Sequence, residues 1–143
     1  TVREFLSTKF MQKRLPLIME AVVGAGVPHC VLMSAYGVGD TVRSASFLMR
    51  VACKTIMRSI FRDRAKADAM VAKYQPYISR ALPGRLTDEP GKVVDVTSVA
   101  HVPGIPTIAR EDVADALLDI AGDPLNAGTD FLVTIEDVVI RAA

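Results

Sequence analysis

Cys30-Val31-Leu32-Met33-Ser34-Ala35-Tyr36-Gly37-Val38-Gly39-Asp40 is the stretch whose reading decides the fold. Four apolar residues run without interruption and end on Ser34. A glycine-containing loop follows, and a long helical pattern begins near Ser44. An unbroken apolar run predicts a strand over 29–34 buried on both faces, as in a parallel sheet. In open α/β sheets, ligands bind outside the carboxyl ends of such strands. Ser34 is therefore expected on the wall of an active site.

On the amino side, residues 2–25 read as a helix. Phe5, Leu6, Phe10, Leu17, Ile18, Ala21 and Val22 follow a 3.6-residue period, Pro16 is expected to kink or divide it, and Gly24 and Gly26 end it. On the carboxyl side, residues 44–73 read as helix in two pieces meeting near Ile60-Phe61. Phe47, Leu48, Val51, Ala52, Ile56 and Ile60 form its expected buried face. Arg50, Lys54, Arg58 and Arg62 form a basic stripe, read as a solvated face in preference to a phosphate or RNA contact.

Tyr77–Leu82 reads as a second strand. Arg80 within it calls for a wet or paired face. Pro83-Gly84 stops it, and a loop runs to Gly91. Lys92–Val96 is a third, short strand, and His101–Ala109 reads as irregular. Arg110–Ala121 is a helix with Val113, Ala114, Leu117, Leu118 and Ile120 on one face. Glu111, Asp112, Asp115 and Asp119 occupy the other. Thr129–Thr134 is the last strand. Strands alternating with helices predict a parallel α/β sheet, here a single domain over residues 1–143.

Half of the 143 residues are apolar and the net charge is only +1. That composition is globular and gives no global field toward nucleic acid or anionic membrane. No uninterrupted apolar run is long enough for a membrane span, and the amino terminus lacks the pattern of a signal peptide. With only Cys30 and Cys53, a reduced, cytoplasmic protein is expected. The chain begins at Thr1 without Met, as expected where a natural start lies upstream.

Metal chemistry is disfavoured: His29 and His101 are the only histidines, and neither has a ligand partner at suitable spacing. His29 reads as a surface residue leading into the strand and His101 as a loop residue. Ser34 lacks the Gly-x-Ser-x-Gly elbow of hydrolases, and Asp88-Glu89 read as turn residues. Gly37-Val38-Gly39 does not extend to Gly-x-Gly-x-x-Gly, and Gly24-Ala25-Gly26 precedes a strand instead of following one, so no dinucleotide phosphate loop is present in these residues.

Four segments in order carry a resemblance: Gly26 to Asp40; Arg62-Asp63-Arg64-Ala65-Lys66; Pro83-Gly84-Arg85-Leu86-Thr87-Asp88; and Ile108-Ala109-Arg110-Glu111-Asp112-Val113-Ala114. Together they resemble the atypical short-chain dehydrogenase/reductases, the NmrA-like, NAD(P)H-binding proteins that include the flavin/biliverdin reductase type. The resemblance covers nearly the whole chain but only the C-terminal half or so of that family's domain. It implies a partial Rossmann-like fold, a truncated doubly wound parallel sheet with flanking helices. It implies NADP or NAD as cofactor, with Ser34, Ala35, Pro83, Gly84, Arg85 and Leu86 beside it. Ser34 takes the position of the family's active-site hydroxyl, and Tyr36 and Arg85 face a small-molecule substrate. The Tyr-x-x-x-Lys pair is replaced by Phe61 and Ala65, with Arg64 and Lys66 as the nearby cations.

The glycine-rich first strand and helix of that family have no counterpart here. The strand at 29–34 then lacks a neighbour on one side, and an apolar edge of that kind invites pairing. A homo-oligomer or a further N-terminal segment is expected to cover it. The leading function is the substrate and nicotinamide side of an NAD(P)H-dependent oxidoreductase. A cofactor-independent cyclase or isomerase reusing the old pocket, and a non-catalytic oligomerising binding module, are the alternatives.

Overall fold

The computed structural model describes residues 9–38, 41, 46–47, 50–51, 58–98, 102 and 106–135. In chain order these form α1 (Phe10–Gly24), β1 (Cys30–Met33), α2 (Arg58–Val71), a 3₁₀ turn (Ala72–Tyr77), β2 (Ile78–Pro83) and β3 (Arg85–Thr87). Then come β4 (Val94–Ser98), β5 (Thr107–Ala109), α3 (Arg110–Gly122), a second 3₁₀ turn (Pro124–Asn126) and β6 (Asp130–Ile135).

The main sheet has the order β1-β2-β6-β4. β1, β2 and β6 are mutually parallel, with Cys30 opposite Ile78, Met33 opposite Ala81 and Arg80 opposite Asp130. Helices cover both faces. Side chains alternate along a strand, so Ile78 and Ala81 point to opposite sides of β2. Ile78 joins Leu15, Met19, Ala67 and Val71 beneath α1 and α2. Ala81 joins Ile108, Val113, Ala116, Ile120 and Val133 beneath α3. Two apolar cores on either side of a parallel-dominated sheet are the three-layer arrangement expected of an α/β chain.

Several expectations are corrected. The sheet is mixed, because β4 runs antiparallel to β6, with Val94 opposite Ile135 and Ser98 opposite Phe131. The segments read as loop and irregular each hold three residues of strand. β3 and β5 pair in parallel, with Arg85 opposite Thr107 and Thr87 opposite Ala109. Three residues are too few to show a period. α1 runs through Pro16 as one element, anchored by buried Leu15 and Met19. α2 likewise passes unbroken through Ile60-Phe61.

The face expected to be buried at the start of the second helical stretch is open where it is described: Phe47, Val51 and Ile60 are exposed. Leu48, Ala52 and Ile56 lie outside the described residues. For Ile60 the cause is helix register. Asp63 meets the first turn of α1 through Met11 N, so Ile60 lies about a turn beyond the start of that cover. β1 is half-buried instead of fully buried, with Met33 exposed, because among the described residues only β2 pairs with it.

The link from α1 to β1 follows from Gly26. Val27 N donates to Val22 O at 3.2 Å and Gly26 N to Val23 O at 3.0 Å, while Gly26 has φ of 70°. This is a Schellman termination, which uses a left-handed residue to satisfy the last carbonyls. The helix therefore stops on the glycine, and the chain turns directly into β1.

Candidate functional site

The carboxyl ends of β1 and β2 are laced together beyond the regular ladder. Ser34 N donates to Ala81 O at 2.8 Å, and Tyr36 N donates to Pro83 O at 2.9 Å. The Ser34–Val38 loop and the Pro83–Leu86 segment thus form one corner. Gly37 N donates to Thr41 Oγ1, whose hydroxyl donates to Val38 O, which closes the loop on itself.

The Ser34 side chain points toward α2 and is buried. Its hydroxyl donates to Asp68 Oδ2 at 2.8 Å. Asp68 is the hub of a charged cluster. Arg64 Nε lies 3.4 Å from its Oδ1, one helical turn away, and Arg80 Nη1 lies 3.9 Å from its Oδ2. Arg64 also donates through Nη2 to Met33 O at the end of β1. Arg80 makes a two-pronged pair with Asp130, including Nε to Oδ1 at 2.8 Å. The paired face expected from Arg80 is therefore present. Burial presses the Arg64 guanidinium below its ordinary pKa, and the charge and hydrogen bonding of Asp68, with Asp63 behind it, work against that.

The structure brings Ser34 and Arg64 together but places Lys66 elsewhere. Lys66 lies on the exposed face of α2 and has no hydrogen bond or ion pair to Ser34. Tyr36 is fully buried, with its hydroxyl accepting from Val102 N at 3.2 Å. Burial raises the Tyr36 pKa, and the Val102 hydrogen bond offsets part of that. Ala35 is half-buried at the corner. Pro83 is buried, and Gly84 passes against Pro106. Arg85 N donates to Pro106 O at 2.8 Å, while its side chain is exposed and makes no ion pair among the described residues. Leu86 packs against the α3 core.

Asp68, Asp130 and Asp112 were not singled out by sequence reasoning. The four-residue step from Arg64 to Asp68 and the lone Arg80 in an apolar strand were the available signals. Asp112, expected on the outer face of its helix, is buried. Its carboxylate accepts from Lys92 N at 3.0 Å, Glu111 accepts from Gly91 N, and Arg110 pairs with Asp88. The first turn of α3 thus clasps the loop that follows β3. His29 is another correction. It is half-buried with Nε2 2.8 Å from Ser79 Oγ, because Ser79 is the fully buried residue of β2 that faces it. His101 and Cys53 lie outside the described residues. Cys30 is a free thiol whose pKa is raised by burial.

An open cavity of about 370 Å³ adjoins this cluster, lined by Leu32, Asp68, Gln75, Ile78, Arg80 and Asp130. Ile78 and Asp130 are the first residues of β2 and β6, so the cavity lies toward the amino ends of those strands, away from the Ser34 corner. Among the described residues no group of His, Cys, Asp and Glu could hold a metal ion, and no helix is long and apolar enough to cross a membrane.

Comparison with known proteins now bears on this corner. Residues 7–124 match the family model described as NAD(P)H-binding. The chain is similar to a short-chain dehydrogenase/reductase (wide type) from Veillonella parvula DSM 2008, solved in complex with NADP. The TM-score is 0.73 at 15% identity, covering 92% of this chain and 61% of that one. It is also similar to chuY from E. coli CFT073 (TM-score 0.71, 18% identity, 88% of this chain and 66% of that one). A third is the oxidoreductase ylbE from Lactococcus lactis (TM-score 0.62, 19% identity, 82% of this chain and 50% of that one). The chain therefore spans between half and two thirds of the length of these structures. No curated protein matches it. With the family match running over most of its length and the sheet and helices laid out as above, the chain belongs to the NAD(P)H-binding family and carries the fold of an atypical short-chain dehydrogenase/reductase.

Proposed function

We propose that this chain supplies the substrate and nicotinamide side of an NAD(P)H-dependent oxidoreductase. The observation that carries the reading is the joining of Ser34–Val38 to Pro83–Leu86 at the carboxyl ends of adjacent parallel strands, where open α/β sheets bind ligands. The residues there suit a nicotinamide. Ala35 is small and half-buried at the corner, which leaves room for a flat ring, and the Arg85 guanidinium, without an ion pair among the described residues, stands at the edge as a donor for a substrate carboxylate or carbonyl. The cofactor supplies the hydride chemistry when bound. The Ser34 hydroxyl donates its hydrogen bond to Asp68, so its contribution is to fix the floor of the corner, with Arg64 clamping the end of β1 from the same side.

The test is a titration of the ¹⁵N-labelled chain with NADPH, read by amide shifts. The amides of Ala35, Gly37, Gly84, Arg85 and Leu86 should move together. Saturation elsewhere with those amides unmoved would remove the reading.

We further propose that the outer edge of β1 is covered by another strand, from a nucleotide-binding segment or from a second copy of the chain. An unpaired apolar edge is a template for pairing, and Met33 and Val27 beside it are exposed. In sizing chromatography with light scattering, the 143-residue chain should run larger than a monomer. Met33→Lys, which puts a charge on that edge, should shift it toward monomer. A monodisperse monomeric parent would overturn the proposal.

A further inference from the structure

The basic stripe of α2 is not absorbed by the nicotinamide corner. Ser59, Arg62 and Lys66 are spaced three and four residues apart, so they share one face of α2. Lys9, the residue that caps the start of α1, and Gln12 in its first turn are likewise three apart. These five residues line one open cleft of about 260 Å³ between the two helices. All five residues carry a polar or charged group at the end of the side chain, three of them are cationic, and no carboxylate is among them.

Asp63, which bonds Gln12 of the cleft, does not fill the gap. Asp63 is buried and turned inward, accepting from Met11 N at 2.8 Å, Gln12 N at 3.3 Å and Gln12 Nε2 at 2.8 Å. The side chains of Lys9, Arg62 and Lys66 form no ion pair or hydrogen bond among the described residues. Like charges four residues apart on a helix repel, so the Arg62–Lys66 pair carries a small standing cost. An anion in the cleft would relieve that cost. Arg offers a planar fork matched to phosphate oxygens, Lys adds a compact charge, and Ser59 adds a hydroxyl donor.

We propose that this cleft binds the phosphate groups of a small phosphorylated ligand. The site is on the outer face of the α1–α2 pair and does not depend on the nicotinamide reading. Its elements are held in register by Asp63, which ties the first turn of α1 to α2 and so sets the distance between the two basic faces.

The experiment is isothermal titration of the full chain with inorganic pyrophosphate at low salt. Saturable one-to-one binding is expected. The double variant Arg62→Gln, Lys66→Gln should weaken it at least fivefold, and Lys9→Gln, at the cap of the other helix, at least twofold. Lys13→Gln, exposed on α1 outside the cleft, should leave it unchanged. An absence of saturable binding, smaller losses, or an equal loss with Lys13→Gln would overturn the proposal. Competition by ADP separates the sources: displacement of pyrophosphate points to a nucleotide phosphate, and its failure points to a free phosphate or non-nucleotide ester. Either supports the site.

Discussion

Replacing Asp68 with alanine should lower folding stability by about 3 kcal/mol, the lower end of the range for breaking a buried ion pair from one side. The carboxylate is 7% exposed and answers Ser34, Arg64 and Arg80 at once. Its loss leaves the Ser34 hydroxyl without an acceptor, which alone costs about 1–3 kcal/mol when buried. It also leaves Arg64 facing a low-dielectric interior with only the Met33 carbonyl and more distant Asp63. Arg80 suffers less, because Asp130 keeps both prongs of its pair. Arg64 retains 19% exposure, so water screens part of the effect, and this selects the lower end of the range. Urea unfolding provides the measurement. Asp68→Asn, which keeps an acceptor for Ser34, should lose roughly half as much, and Ser34→Ala combined with Asp68→Ala should be less than additive. A loss under about 1 kcal/mol would mean that solvent holds the cluster apart.

Gly84→Ala is the second large effect expected. A Cβ at position 84 would stand 2.2 Å from Pro106 O, 2.8 Å from Pro106 C and 2.9 Å from Pro106 Cγ. Two of these atoms are backbone and the third belongs to a ring, so none can swing aside. Pro106 O also accepts from Arg85 N at 2.8 Å, at the point where β3 begins to pair with β5. Relief of the clash must therefore separate the two segments. Overpacking of this kind costs about 1–3 kcal/mol. A drop in melting temperature should be accompanied by faster hydrogen exchange at the Arg85 amide. Unchanged exchange there would show that the strain is absorbed elsewhere.

The legible parts of this chain are those with enough residues to show a period or an unbroken run. α3 spans thirteen residues with a stop at Gly122-Asp123-Pro124, and β1 is an apolar run closed by a glycine loop. β3 and β5 were hidden because each is three residues flanked by Pro or Gly, and their pairing is created by contact across more than twenty positions. The site divides in the same way. Ser34 could be placed because it ends a strand, and Arg80 flagged its own need for a partner. Asp68 could not be placed. A carboxylate within Arg-Ala-Lys-Ala-Asp reads as a solvated helix position, and only the docking of α2 on β1 turns it inward. Lys66, two residues earlier, is turned out by the same helical geometry. Asp112 looked like one more acid on a polar face until the loop at Gly91-Lys92 folded back onto it.

The sheet order β1-β2-β6-β4 has a consequence for how the chain assembles. β6 is the last strand described, yet it lies between β2 and β4 and joins them. During synthesis from the amino end, β1 and β2 can meet as soon as α2 has formed between them. β4 has no partner in the main sheet until residues 130–135 leave the ribosome. The connection between β2 and β6 is long, so closure carries a loop entropy that local helix formation cannot offset until late. The half-finished chain would display two unzipped edges of the same sheet, on β2 and on β4, and the arrival of β6 closes both in one step.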